Sequence, residues 1–108
     1  MEIKDTEKYR IITPLCPKIT ERETERLIDE ITNTNKEVGI DLSLVQDCTN
    51  DFINIIYHRK KISFFNIHSD ILAIFLSFNI DKLAKLYVSE FDFIHNKRQL
   101  LNRKFNVI

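Results

Sequence analysis

Apolar and polar positions along the chain divide it into alternating strands and helices. Tyr9 to Leu15 is rich in β-branched residues and closes at Pro14 and Pro17, which predicts a strand at a sheet edge. Thr20-x-x-Glu23 is a capping-box pattern, in which the threonine oxygen and the glutamate carboxylate satisfy orphan amides, so a helix begins at Thr20. Its apolar positions Leu27, Ile28 and Ile31 share one stripe, while Glu21, Arg22, Glu25, Arg26 and Asp29 point to water. The polar cluster Thr32-Asn33-Thr34-Asn35 ends that helix, and Glu37-Val38-Gly39-Ile40-Asp41-Leu42-Ser43 reads as a central strand.

From Asp51 the apolar residues Phe52, Ile53, Ile55 and Ile56 follow a helical spacing. It stops at His58-Arg59-Lys60-Lys61, where a helix dipole favours cations. Ile62 to Ile67 is the next buried strand, and Ser69 is expected to cap a helix with Ile71, Ile74, Phe75 and Phe78 inward. Asn79 stands where that helix ends, because asparagine accepts the left-handed conformation of a helix terminus. Asp81-Lys82-Leu83 then turns into a final strand, Leu86-Tyr87-Val88. A polar helix follows with Phe91, Ile94, Leu100 and Leu101 inward, and the tail from Phe105 to Ile108 packs back on the core. Phe91 and Phe93 fall on opposite sides of any element, so one of them is exposed and is a candidate interface residue.

The expected architecture is a single α/β domain over residues 1–108, with repeating strand-helix units and a mostly parallel, mixed sheet of four to five strands. In such sheets ligand contacts gather at the carboxyl ends of the strands. Asp47-Cys48-Thr49-Asn50, between a strand and a helix, occupies that position.

Composition narrows the function classes. Hydrophobic residues at 44% and charged residues at 30% are the balance of a globular protein, and 108 residues build one core. Lysine plus arginine (16) equals aspartate plus glutamate (16), so no global field draws nucleic acid or an acidic membrane. The longest apolar run, Ile71 to Phe78, is far shorter than the roughly 20 residues of a membrane helix. The start, Met1-Glu2-Ile3-Lys4-Asp5, lacks the apolar segment of a secretion signal, so a cytoplasmic location is expected. Abundant isoleucine, asparagine and lysine suggest an AT-rich bacterial genome.

Catalytic and cofactor chemistry finds little support. Gly39 is the only glycine, which removes every glycine-rich phosphate cradle. Cys16 and Cys48 are far apart with no CxxC and read as free thiols. His58, His68 and His95 lack the spacing of metal ligands, so no metal or cofactor is expected. Asp41, Asp47 and Asp51 are close in sequence, but a strand terminus and a helix first turn account for Asp41 and Asp51 better than an acid/base pair or a magnesium site does. A cysteine near a helix amino terminus, such as Cys48, would have a lowered pKa. His58, its only neighbouring base, lies roughly 15 Å along the same helix, so thiol catalysis and enzyme activity are not expected. The basic clusters at His58 to Lys61 and Lys97 to Lys104 read as solvated helix ends, and Phe64, Phe65, Phe75 and Phe78 as core residues.

Several motifs, in order, resemble those of the STAS domains, found in anti-sigma factor antagonists and in the cytosolic tails of sulfate transporters. Asp41-Leu42-Ser43-x-Val45 resembles the family strand motif, and Asp47-Cys48-Thr49 resembles the "DSS" that follows it. Phe65-Asn66-Ile67-x-Ser69 is similar to the family's "N-x-S". Asn79-Ile80-Asp81-Lys82-Leu83 is similar to "G-L-D-K-L", and Leu86-Tyr87-Val88-Ser89-Glu90 to "I-Y-x-S-E". The resemblance implies a signalling module in transcription regulation that binds an anti-sigma factor, itself a kinase, and is released when a serine at the helix start is phosphorylated.

Here the stretch between Val45 and Asp47 is short, Asn50-Asp51-Phe52 replaces "G-L-G", and Cys48 stands at the modified serine. Thr49 is then the neighbour able to take a phosphate, with Ser43 a poorer choice. The expected partner surface is Asp47, Cys48, Thr49 and Asn50 with the exposed side of the following helix. The alternative is a scaffold or a module that binds a nucleotide or anion at the helix start, without a phosphorylation switch.

Overall fold

The capping box expected at Thr20 forms: the Thr20 N–H donates to the Glu23 carboxylate at 3.3 Å, and the Thr20 hydroxyl donates to the same oxygen. In the computed structural model, which describes residues 1–58 and 62–96, this box opens helix α1 (Glu21–Thr32). Ahead of it lie strands β1 (Glu2–Asp5), β2 (Tyr9–Thr13) and β3 (Lys18–Ile19). After it come β4 (Glu37–Asp41), β5 (Asp47–Cys48), α2 (Asn50–His58), β6 (Ile62–Phe65) and α3 (Ser69–Ser77). A short 3-10 turn (Ile80–Lys82), β7 (Lys85–Leu86) and α4 (Glu90–Ile94) complete the described chain.

The fold is α/β with a five-stranded mixed sheet in the order β1-β2-β4-β6-β7. β1 runs antiparallel to β2, and every other pairing in that sheet is parallel. β3 and β5 form a separate parallel pair. Register places Ile12, Ile40, Phe64 and Leu86 in one row across β2, β4, β6 and β7, and each is at most 2% exposed. Leu27 of α1, Phe52 and Ile56 of α2, and Ile71 and Phe75 of α3 belong to the same buried cluster. Phe52, Phe64 and Phe75 meet with ring centroids 5.0 to 6.3 Å apart. Burying a side chain of that size contributes about 1.5–3 kcal/mol, so this layer carries most of the stabilisation.

The opposite face is thinner. Ile11, Phe65, Tyr87 and Phe93 form a second buried cluster, with Phe93 supplied by α4. Phe93 packs where Gly39 sits at the centre of β4: a Cβ on Gly39 would stand 2.6 Å from the ring. The single glycine is therefore a requirement of helix-on-sheet packing.

Several expectations change. β1, with the charged sequence Glu-Ile-Lys-Asp, carries no apolar signature, yet it pairs along its length with β2 and takes the edge position expected for β2. β2 stops at Thr13 because Pro14 has no N–H to continue a ladder. The central strand stops at Asp41. His68, not Ser69, is the N-cap of α3, and Phe78, expected inward, is 41% exposed beyond the helix end. Asn79 is left-handed as expected, with φ 58°. The last strand is only Lys85–Leu86, though the Tyr87 N–H still donates to Phe64 O at 2.8 Å. Phe91 is 58% exposed and Phe93 3%, so the inward aromatic of α4 is Phe93 and the exposed one is Phe91. Leu100, Leu101, the segment Phe105 to Ile108, and the basic residues Arg59 to Lys61 and Lys97 to Lys104 lie outside the described residues.

Candidate functional site

The parallel strands β2, β4 and β6 all end on one edge of the molecule, and β4 hands the chain over there at Asp41. The Asp41 carboxylate accepts from the Ser43 N–H at 2.9 Å, an Asx turn that reverses the chain. The same oxygen accepts from the Asn66 side-chain amide at 3.2 Å. Asn66 ends β6 in a left-handed conformation, φ 56°, which asparagine tolerates. Ring nitrogen Nε2 of His68, the N-cap of α3, lies 2.7 Å from the Ser43 carbonyl. A carbonyl only accepts, so Nε2 is the protonated donor and is not placed as a base for the Ser43 hydroxyl.

The far end of the segment is fixed as firmly. The Pro17 carbonyl accepts from the N–H groups of Gln46 and Asp47, at 2.7 and 3.1 Å, and the Thr49 N–H donates to Ile19 O at 3.1 Å. Val45 is fully buried between these anchors. Leu44 is left raised over them and is 52% exposed, as is Leu15 in the neighbouring β2–β3 loop. Both leucines border a cleft of about 570 Å³ whose floor includes Ile11 and Thr13. Its rim carries the Lys4–Glu90 ion pair, 2.7 Å long. An exposed apolar pair is a contact feature, and Leu44, on a tightly pinned backbone, presents its apolar area with little conformational entropy left to lose.

The residues expected at the site divide between surface and interior. Asp47 and Asn50 are exposed; Cys48 and Thr49 are half-buried. Asp47 and Cys48 do not form a free turn at a helix start but pair with Lys18 and Ile19, and the Asp47 carboxylate lies 3.7 Å from the Lys18 ammonium. This placement reverses the expected acidity of Cys48. Burial pushes its thiol up to about 11, with the Asp47 carboxylate acting in the same direction, so it is protonated near neutral pH. Burial also raises the Cys16 thiol, with Glu23 adding to it. The Thr49 hydroxyl oxygen is shielded from solvent and has no hydrogen-bond partner among the described residues.

Reasoning from sequence missed Leu15, Leu44 and His68. An apolar residue inside the turn Ser43-Leu44 was the available signal for one of them; Leu15 was hidden because it continues the alternation of the expected strand Tyr9 to Leu15, which in the structure stops at Thr13. Among the described residues, no group of three or more His, Cys, Asp or Glu is placed to hold a metal ion, and no helix is long and apolar enough to cross a membrane. A second cleft, about 600 Å³, lies at the opposite ends of the strands. The tyrosine hydroxyls nearest it are already committed, Tyr9 to Ile94 O and Tyr87 to the Asn96 side chain. Comparison with protein-family models and with curated proteins gives no match, so the functional reading rests on this geometry.

Proposed function

We propose that the chain is a non-catalytic protein-binding module of STAS type, acting in the cytoplasm. It docks a partner through the segment from Ser43 to Asn50, with Leu44 and Leu15 as apolar anchors and the exposed side of α2 as the flank. The observation that carries this reading is the exposed pair Leu15 and Leu44 at the carboxyl end of the sheet, with Leu44 on a pinned turn. An apolar anchor held in place before binding gives up little ordering entropy when a partner covers it. The strand motifs resembling STAS domains lead into and out of this same segment, which makes an anti-sigma factor kinase the leading partner class.

A phosphate on Thr49 would add nearly two negative charges to an oxygen that is now shielded. Such a switch requires the β5–α2 junction to open first, so docking without phosphate control is the favoured form of the reading. The test is affinity capture from the native host with wild type, Leu44→Asp, Cys48→Arg and Thr49→Asp. Loss of a specific partner in Leu44→Asp supports the surface; identical partner sets for all four proteins sink it.

A further inference from the structure

The edge of the sheet at β1 fits a second copy of this chain. Among the described residues no strand lies beyond β1, and all four of its residues are exposed. The hairpin fixes which backbone groups it presents. The Thr6 N–H donates to Tyr9 O at 2.8 Å, which makes Thr6 and Tyr9 a hydrogen-bonded pair. Pairs alternate along an antiparallel ladder, so Lys4 and Glu2 bond to β2 across from Ile11 and Thr13. The N–H and C=O groups of Ile3 and Asp5 are left pointing away from the sheet.

An antiparallel partner strand has to set outward-facing residues opposite one another, and the side chains decide between the registers. Ile3 opposite Asp5 places Lys4 directly across from Lys4 of the other copy, and Asp5 opposite Asp5 opposes two carboxylates; like charges so placed are destabilising. Ile3 opposite Ile3 puts Glu2 of each copy across from Lys4 of the other, on both sides of a two-fold axis, and joins isoleucines that are 40% exposed. A lysine on an edge ordinarily discourages pairing. Here its complement stands two residues away on the same face of the same strand, as isologous contact demands.

We propose that this chain forms a two-fold symmetric dimer by antiparallel pairing of β1 with β1 of a second copy, centred on Ile3. The contact is short beside the roughly 1,200 Å² of a stable complex, so the dimer is weak and depends on concentration. The inference does not rest on the proposed docking function.

Sedimentation velocity over a concentration series into the millimolar range tests it, with a dimer expected to grow in at the upper end. Ile3→Pro removes an outward N–H that the β1–β2 ladder does not use, so the fold is expected to survive by circular dichroism while the dimer is lost. Lys4→Glu alone should give a monomer. Glu2→Lys combined with Lys4→Glu should restore the dimer, although it leaves the Lys4–Glu90 pair broken. A monomer at every concentration, a dimer that survives Ile3→Pro or Lys4→Glu, or a charge swap that fails to restore association overturns the proposal.

Discussion

Phe93 and Gly39 are locked together: the aromatic ring occupies the space into which any side chain at position 39 would project, with its Cε2 only 2.6 Å from where a Cβ would stand. α4 has a single short stretch of helix and reaches the sheet mainly through this ring, which also contacts Tyr9, Phe65 and Tyr87 at centroid distances of 5.2 to 5.9 Å. Gly39→Ala is expected to destabilise the protein by about 1–3 kcal/mol through overpacking, despite the conformational entropy that alanine saves in the unfolded chain. Urea denaturation measures it. Combining Gly39→Ala with Phe93→Leu should cost less than the sum of the single changes, because the smaller side chain vacates the contested space.

The Thr20–Glu23 capping box closes the amino end of α1. Thr20→Ala is expected to lower stability by about 1 kcal/mol without altering the folded far-ultraviolet spectrum. The same urea titration reads the loss as a lower midpoint at unchanged slope.

Arg10 ties the β1–β2 hairpin together and to α1, with Nε 2.9 Å from Asp5 Oδ1 and Nη1 3.1 Å from Glu30 Oε2. The hydrogen bond from Arg10 holds the Asp5 carboxyl below its ordinary value of 3.8, and Lys36 adds to the effect. A depressed folded pKa stabilises above the unfolded value, and that contribution is lost as pH falls through the folded one. Denaturation midpoints followed from neutral pH to about pH 2 should therefore fall less steeply at the acid end for Asp5→Asn than for wild type.

Cys48 is expected to behave as an inert thiol at neutral pH. Its folded pKa of about 11 lies above the ordinary 9.0, so it favours folding fully below 9.0 and loses that contribution as pH rises toward about 11. Peptide mapping after iodoacetamide treatment should show slow modification of native Cys48 at neutral pH and fast modification once urea unfolds the chain. Rapid native alkylation would mean that β5 opens readily.

Strong local chemistry was readable from the sequence, and long-range pairing was not. The capping box at Thr20, the left-handed Asn79 and the apolar rows of β4 and β6 depend on neighbours in sequence; the first two formed as expected, and the two strands formed but ended two residues early, at Asp41 and Phe65. β1 escaped notice because all four of its residues face solvent, so it carries no apolar alternation, and it is held by backbone pairing with β2 and by ion pairs of Lys4 and Asp5. β5 escaped because two residues carry no period, and their pairing with β3 is set by the Pro17 carbonyl far away in sequence. That pairing turned Cys48 from an expected acidic thiol at a helix start into a strand residue held neutral by burial. Asp47 and Asn50 stayed on the surface, and the apolar anchors Leu15 and Leu44 became visible only when two separate loops were brought side by side.

The docking claim is tested most directly by placing a photo-crosslinking amino acid at Leu44 in the native host, with Arg22 on the exposed side of α1 as the control position. The expected result is one dominant partner adduct at position 44 that is absent at position 22 and disappears when Leu15→Asp is added. Adducts that are the same at both positions, or none at position 44 while the protein is folded and expressed, would contradict it.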